Sequence, residues 1–408
     1  MKILHLCDIH CDNDERHMAE VTEVIEKTVL PVAAREKISL TIIAGDLFDE
    51  RLALDSIGVK TAIRAVRGLA EIAPVIIMRG TVSHDFGHSL EIFKAIKSSN
   101  PITTIDTPEI KVLNFRDGQH LFFFLPGIRK RMFEKLAAKH GLDIRSTTVS
   151  QLIELQMKDW KEYRENAGSA KPVLVGHIQL DDVGYAGERG YEPAVSRKLI
   201  EQCLDPGIAM LGHIHETSVY GGRFVYAGSL MSNSMMDAKV VRVGDGKISV
   251  VKDNSVKGFY IHDWKDGEWK SVFHKAEGRT FLKIQCEDSC DVKTVGGIVQ
   301  QHMSDKLTVR VLLRMKAKDE SKIADVVVFD EALRKLLKES SVEIIPTKIQ
   351  VESFRSDRRV VNESAWQGLS MNDKFFFWAK EKGIVIPEQE VPEYTAKISV
   401  IEQLSPGM

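Results

Sequence analysis

Cysteine is scarce in this chain of 408 residues, which contains five: Cys7, Cys11, Cys203, Cys286 and Cys290. No two of them have the Cys-x-x-Cys spacing of structural zinc sites. Their odd number also argues against the disulfide framework of a small secreted protein. We therefore expect reduced thiols, with Cys7 and Cys11 buried as small apolar side chains rather than bound to a metal.

Long apolar runs are also missing. No stretch approaches the roughly 18 consecutive apolar residues that a membrane-spanning helix needs. The N-terminal run is interrupted at Asp8, which is too early for the apolar core of a signal peptide. The sequence therefore predicts a cytoplasmic protein that does not associate with a membrane.

Neither sign of charge is in excess, because the formal net charge at pH 7 is −2. The chain therefore lacks the overall basic field that attracts nucleic acids. A nucleic-acid substrate is not excluded, since a local patch, metal ions or a partner protein could meet its phosphates.

Internal repeats and low-complexity tracts are absent, and the length predicts two or three domains. In the N-terminal part, short β-rich apolar runs alternate with helical patterns, and these runs are KILHLC, SLTIIAG and PVIIMRG. The alternation predicts an α/β domain with parallel strands and crossover helices. The later strands, PVLVGHIQ and IAMLGHIHE among them, are expected to form a more antiparallel set.

Three regions are expected along the chain. Residues 1–270 form the main domain, residues 271–352 read as strand, helix, strand, helix, strand in a small α/β capping domain, and residues 353–408 hold a linker and a helical tail. The tail carries four adjacent aromatic residues, Phe375, Phe376, Phe377 and Trp378. They could pack against the helices of a partner or anchor the tail to its own domain, and the sequence leaves both open.

Histidine and aspartate recur where predicted strands end. The candidate site residues in these positions are Asp8, His10, Asp46, Asp49, Ser83, His84, His177, His213 and His215. Side chains two residues apart on a strand share a face, so Asp8 and His10 can converge on one ion. The same spacing relates His213 and His215. Four of these imidazoles and two of these carboxylates already exceed what one tetrahedral zinc ion needs and suit two bridged first-row ions, which predicts phosphoester hydrolysis.

The order and spacing of these segments resemble the calcineurin-like metallophosphoesterases, whose pattern is D-x-H, G-D-x-x-D, G-N-H-[DE], G-H and G-H-x-H. The corresponding segments here are Asp8-Ile9-His10, Gly45 to Asp49, Gly80 to Asp85, Gly176-His177 and Gly212 to His215. The resemblance implies an α/β fold in which a layered β-sandwich is flanked by helices. It implies one ion on Asp8, His10, Asp46 and His215, and a second on Asp46, His177 and His213, with Asp46 bridging.

The resemblance also implies roles for residues that touch no metal. His84 would stabilise the transition state or protonate the leaving oxygen, and Asp49 would orient His84. In the third segment the pattern has an Asn immediately before the His, as a neutral ligand for the second ion. Ser83 immediately precedes the His here, two residues beyond the position that follows Gly80. Its hydroxyl is expected to offer an oxygen ligand on a shorter side chain than that of Asn.

Further features resemble the SbcD-type subunits of double-strand-break repair nucleases. Gly228-Ser229-Leu230 follows the last metal segment, and a small α/β domain and a helical tail follow the core. The resemblance implies Mn²⁺-dependent (or Mg²⁺-dependent) exonuclease action on double-stranded DNA and endonuclease action on single strands. It further implies an SMC-like ATPase partner of the SbcC type and a homodimer. Two alternatives stay open: a phosphodiesterase for small nucleotides, and a non-catalytic scaffold with a degenerate metal site.

Overall fold

The computed structural model describes residues 1–352 apart from short segments, which are 128–129, 144, 146, 169–171, 184–193, 245–246, 288–290, 305, 317–322 and 339–341. The chain divides into two units, one made of residues 1–315 and 319–350 and the other of residues 316–318 and 351–408. The predicted partner-binding aromatics, Phe375, Phe376, Phe377 and Trp378, lie outside the described residues.

Six strands form the first sheet, and their spatial order is β14 (Glu268–Lys275), β13 (Gly258–Lys265), β1 (Lys2–Leu6), β2 (Leu40–Ala44), β3 (Val75–Met78) and β4 (Ile102–Ile105). Strands β1 to β4 run parallel, and β13 joins β1 in the antiparallel direction. Strand β2 is buried along its whole length, as expected for a central parallel strand covered on both faces. The sheet therefore matches the alternating pattern of the N-terminal sequence.

The second sheet also has six strands, in the order β5 (Glu109–Phe115), β6 (Gly118–Leu125), β7 (Pro172–His177), β8 (Ile208–Gly212), β10 (Phe224–Tyr226) and β9 (Ser218–Tyr220). Its four central strands are parallel to one another, and the edge strands β5 and β9 pair with them in the antiparallel direction. The expectation of a more antiparallel set was wrong. Helices connect β6 to β7 and β7 to β8, and such crossovers return the chain in the same direction.

Helices cover the outer faces of both sheets. The helices in the described residues are α1 (Glu15–Val24), α2 (Leu30–Glu36), α3 (Ile57–Ile72), α4 (Lys130–Lys139), α5 (Val149–Asn166), α6 (Arg197–Cys203), α7 (Val292–Gln301) and α8 (Ile323–Leu336). A π-helical turn, Ile25–Val29, continues α1 into α2, and 3₁₀ turns occupy Ser89–Ala95 and Met235–Asp237. Asp14 caps α1 and Ser56 caps α3 by accepting backbone N–H groups. No helix of the described residues has the length and apolar character needed to cross a bilayer.

The main core lies between the two sheets, and β6 shows how the sequence builds it. Phe122 and Phe124 point toward the first sheet, whereas Phe123 points the other way and packs on Trp160 of α5, with 5.3 Å between ring centroids. This alternation is the two-residue period of a strand with both faces buried. The result is a layered order of helices, sheet, sheet and helices, which is the β-sandwich flanked by helices that was expected.

A third sheet has five strands, in the order β12 (Lys247–Asp253), β11 (Lys239–Gly244), β15 (Thr280–Glu287), β16 (Leu307–Lys316) and β17 (Glu343–Glu352). Its core includes residues of α7 and α8. The boundary expected after residue 270 falls inside β14, which belongs to the first sheet. The β11–β12 hairpin, which lies within residues 1–270, pairs with β15 of the third sheet.

Two histidines, His5 on β1 and His262 on β13, are buried side by side. They share a hydrogen bond of 3.2 Å, and His262 Nδ1 lies 2.8 Å from Ser271 Oγ. Burial lowers the pKa of His5 to about 3 and lowers that of His262 well below its usual value. Both rings are therefore neutral structural groups.

Acidification is expected to destabilise the fold through this pair. Below about pH 6.5 these histidines are protonated in the unfolded chain but stay neutral in the folded protein. The free energy of unfolding therefore falls by about 1.4 kcal/mol per pH unit for each ring. Between about pH 7 and pH 5 the free energy of unfolding of His5→Gln is expected to fall by about 2 kcal/mol less than that of the wild type. Urea unfolding at both pH values measures this difference, and equal losses in the two proteins would contradict it. The replacement His88→Gln, at an exposed position, is the matched control.

Candidate active site

The predicted site residues meet at one edge of the two packed sheets. β1, β2 and β3 of the first sheet and β7 and β8 of the second all end there, because each set is parallel. Backbone pairing continues past the strand ends, where Asp8 N donates to Gly45 O at 3.0 Å and His10 N donates to Asp46 O at 3.1 Å. The two sheets are joined at this edge by His213 N, which lies 3.1 Å from Asp8 Oδ2.

Four of the site residues have left-handed backbone conformations, with φ of 50° at Asp8, 53° at His10, 49° at Asp46 and 87° at His213. Three further non-glycine residues share this property in the described part of the chain, Lys37, Asp205 and Asp266. Such conformations are uncommon outside glycine and concentrate at functional sites. The strand ends therefore turn sharply here, which aims successive side chains at one region.

Glycine is required at two positions of the site, because neighbouring side chains occupy the space that a Cβ atom would need. A Cβ on Gly80 would lie 2.0 Å from Asp46 Oδ1, and one on Gly45 would lie 2.1 Å from His177 Nδ1. Gly45 also has a φ of 98°. The glycines that precede the site segments in the sequence therefore make room for the acidic and imidazole groups.

One group of candidate ligands consists of Asp8, His10 and His215. Nε2 of His10 lies 3.0 Å from Nε2 of His215, and each of these nitrogens lies 4.0 Å from Asp8 Oδ1. Nδ1 of His10 donates to Asp49 Oδ1 at 2.8 Å. The two rings therefore present their Nε2 atoms to each other and to a buried carboxylate.

A second group consists of Asp8, Asp46 and His177. His177 Nδ1 donates to Ala44 O at 2.7 Å, which directs Nε2 to within 3.2 Å of Asp46 Oδ2. The His213 ring lies edge-on to His177, with 5.4 Å between ring centroids. Asp8 is the residue common to the two groups, whereas the bridging role of Asp46 stays a prediction.

These contacts fit divalent cations. Nδ1 of His177 donates to the Ala44 carbonyl, so in the neutral ring Nε2 is an acceptor that faces the Asp46 carboxylate at 3.2 Å. Two facing acceptors need a proton or a metal ion beside them. Burial favours the neutral ring, but the charge of Asp46 outweighs it and raises the pKa of His177 to about 10. Imidazole and carboxylate donors in this number are those that first-row divalent ions accept.

A third group consists of His10, Asp49 and His84, in which the His84 ring lies edge-on to His10 with 4.7 Å between centroids. Nδ1 of His84 donates to the backbone O of Asp49 at 2.6 Å, whereas Asp49 Oδ1 lies 3.4 Å from this nitrogen. The side chain of Asp49 makes its shorter contact with His10. In this geometry the Asp49 backbone orients His84, and the Asp49 carboxylate orients His10.

The third segment places Thr81 and Ser83 differently. Thr81 is buried and contacts Asp46 Oδ1 twice, through its backbone N at 2.6 Å and its hydroxyl at 2.9 Å. Ser83 is exposed. The hydroxyl oxygen beside the carboxylate is therefore that of Thr81, which directly follows Gly80. That position was the signal in the sequence that could have identified it.

Thr81→Val is expected to weaken Mn²⁺ binding by about 10- to 100-fold at both predicted ions, because it removes a partner of Asp46, the carboxylate predicted to bridge them. Ser83→Ala, the matched control, is expected to leave binding unchanged, since its side chain is exposed. Calorimetric titration of both variants with Mn²⁺ compares them. A weaker Ser83→Ala variant beside an unaffected Thr81→Val variant would contradict the assignment.

Asp85 connects the second and third site segments through its buried carboxylate. Its carboxylate accepts the backbone N–H groups of Asp46 at 3.0 Å, Phe48 at 3.1 Å and Gly80 at 2.7 Å. Burial and the nearby charge of Asp46 raise the pKa of Asp85. Asp85 therefore ties the second and third segments together, which the sequence pattern alone did not reveal.

Comparison with known proteins decides the family. The model of the family described as Calcineurin-like phosphoesterase matches residues 1–217, which is more than half of the chain. The chain belongs to the calcineurin-like phosphoesterases. A search of curated proteins finds no match. Among solved structures, the chain is similar to one titled "GAP50 the anchor in the inner membrane complex of Plasmodium", with 13% identity and a TM-score of 0.42 over 69% of this chain and 89% of that chain.

Membership of this family confirms the metallophosphoesterase fold and the class of site. Calcineurin-like phosphoesterases use divalent metal ions to hydrolyse phosphoesters, and the three groups of Asp and His residues are candidates for holding such ions. The family match ends close after His215, the last of the candidate ligands in the chain. Two buried charged residues that contact His215, Asp237 and Lys257, lie beyond the match and were not found from the sequence.

Proposed function

We propose that this calcineurin-like phosphoesterase is a metal-dependent DNA nuclease. The observation that carries the phosphodiesterase part is the pair of contacts in which imidazole nitrogens face other acceptors, His10 with His215 and His177 with Asp46. Two divalent ions at such positions would clamp a phosphoryl group and lower the pKa of water to supply hydroxide near neutral pH.

The proposed ligands are divided between the two ions. Asp8, His10, Asp46 and His215 would hold the first, and Asp46, His177 and His213 the second. Asp46 is well suited to bind a cation, because the charge of His177 and other rings, acting against burial, holds the pKa of this carboxyl well below its usual range. Thr81 holds the same carboxylate in place through two hydrogen bonds.

The proposed role of His84 is to donate a proton or a hydrogen bond to the reacting phosphoryl group. The Asp49 carbonyl fixes its Nδ1–H, so Nε2 is the atom available to the substrate. Burial favours the neutral ring, but hydrogen bonds to Asp49 and the charge of Asp46 prevail and raise the pKa of His84 to about 9. In its protonated form the ring can act as an acid.

DNA as the substrate is supported by exposed basic residues on the β11–β12 hairpin. The β11–β12 hairpin starts two residues after Asp237, which contacts His215, and it exposes Arg242, Lys247 and Lys252. Such a local basic patch could contact the phosphates of a long substrate although the whole chain is close to neutral. The resemblance to SbcD-type subunits gives the same substrate.

The finer parts of the proposal come from that resemblance. They are double-strand exonuclease and single-strand endonuclease action, use of Mn²⁺, a homodimer, and an SMC-like ATPase partner of the SbcC type. The residues proposed to bind the ATPase are Phe375, Phe376, Phe377 and Trp378. Copurification of a large coiled-coil ATPase with the tagged full chain tests the partner.

Cleavage assays with the purified full chain test the activity. End-labelled duplex DNA, single-stranded DNA and a small nucleotide diester are each incubated with Mn²⁺, Mg²⁺ or chelator. Mn²⁺-dependent cleavage of DNA supports the proposal, and cleavage of the small diester alone supports a small-nucleotide phosphodiesterase. No hydrolysis of any substrate, also with the ATPase and ATP present, would leave the scaffold alternative.

A further inference from the structure

Asp237 and Lys257 form a buried ion pair directly behind the candidate ligand His215. They are 2% and 3% exposed, and Lys257 Nζ lies 2.9 Å from Asp237 Oδ1. Asp237 ends the 3₁₀ turn before β11, and Lys257 precedes β13. Lysine and aspartate are seldom buried so fully without a specific role or partner.

Both members of the pair contact His215. Oδ1 of Asp237 lies 3.4 Å from His215 Nδ1, and Lys257 Nζ donates to the backbone O of His215 at 2.7 Å. With its Nδ1 side facing a carboxylate, His215 directs Nε2 toward His10 and Asp8. The ring and the backbone of this ligand are thus restrained separately.

The carboxylate of Asp237 is itself held in one orientation. Its Oδ2 accepts the backbone N–H of Asn233 at 2.9 Å and of Ser234 at 3.4 Å, which leaves Oδ1 for Lys257 and His215. Both oxygens of the Asp237 carboxylate are therefore engaged, and the oxygen that faces His215 is held in a fixed position.

We infer that Asp237 and Lys257 are positioning residues for His215, and this inference rests on the proposed two-ion site. Asp237 selects the tautomer with hydrogen on Nδ1, so that Nε2 presents its lone pair to an ion. Lys257 balances the buried carboxylate, which alone would be costly to desolvate, and it fixes the His215 backbone. Asp237 and Lys257 touch neither the ion nor the substrate.

The arrangement gives His215 the same kind of support that His10 receives from Asp49. His10 Nδ1 donates to a carboxylate at 2.8 Å that is partly exposed, whereas Asp237 is buried and paired with a lysine. A water molecule could replace the first carboxylate more easily than the second. The effect of removing Asp237 on metal affinity is therefore expected to be the larger of the two.

Mn²⁺ titration of the full chain by calorimetry tests the inference without relying on activity. Asp237→Asn is expected to keep the fold. It is expected to lower the affinity for one of the two Mn²⁺ ions by about 10- to 100-fold and to leave the affinity for the other unchanged. Asp237→Glu, which restores the carboxylate, is expected to recover part of this loss. Lys257→Met removes the charge that balances Asp237. If Lys257→Met does not fold, Asp237→Asn alone tests the inference.

Glu20→Gln is the matched control, because Glu20 is also a buried carboxylate in an ion pair, 2.8 Å from Arg279 Nε, away from the candidate ligands. It is expected to leave both Mn²⁺ affinities unchanged. Wild-type affinities in folded Asp237→Asn, or equal losses in Asp237→Asn and Glu20→Gln, would overturn the inference alone. A wild-type chain that binds no Mn²⁺ would overturn the proposed function and, with it, the inference.

Discussion

Replacing His84 by alanine is expected to lower kcat/KM for phosphodiester hydrolysis by about 10²- to 10⁴-fold, the usual contribution of a positioned acid. The reason is geometric, since His84 lies beside His10 with Nδ1 fixed by the Asp49 carbonyl and Nε2 left for the substrate. Because His84 is not among the proposed ligands, Mn²⁺ binding is expected to be unchanged. Steady-state kinetics and calorimetric titration of the same preparation measure both effects.

His88→Ala is the matched control, since it removes a second histidine from the same loop at an exposed position. It is expected to retain full activity. If His84→Ala kept wild-type kcat/KM, the proton-donor role would be excluded. If it lost Mn²⁺ as well as activity, His84 would instead act as a ligand or hold the ligands together.

Asp46→Asn is expected to abolish binding of both ions and, with it, hydrolysis. Asp46 faces His177 Nε2 at 3.2 Å and is held by Thr81 and Asp85 from two other sides. Loss of an outer partner of a ligand already costs up to about 100-fold in metal affinity, so loss of a bridging ligand charge is expected to exceed that. Calorimetric titration with Mn²⁺ and metal analysis after gel filtration provide the measurement.

The companion variant Asp8→Asn decides which carboxylate bridges. Asp8 belongs to two of the three groups of candidate ligands, but the proposed assignment gives it only the first ion. Asp8→Asn is therefore expected to keep one Mn²⁺. The reverse result, with one ion retained by Asp46→Asn and none by Asp8→Asn, would make Asp8 the bridge. Asp106→Asn, at the carboxylate that pairs with Arg79, controls for loss of an acidic group.

The sequence was sufficient for the class of fold and for the composition of the site. Strand ends followed by Asp and His predicted where the ligands would be, because parallel strands bring their carboxyl ends to one edge. Asp8, His10, Asp46, His177 and His215 do meet there. The parallel direction of the second sheet was not predicted, since short apolar runs carry no information on the direction of their neighbours.

Spacing along a strand determined which residues could share a face, and so the sequence by itself determined the family and the set of candidate ligands. Only the tertiary structure decided which groups support them. Thr81 rather than Ser83 reaches Asp46, the Asp49 carboxylate contacts His10 more closely than His84, and the ion pair of Asp237 and Lys257 lies behind His215. The physical reason is that these contacts join segments distant in the chain, and their distances depend on how loops and sheets pack rather than on local periodicity.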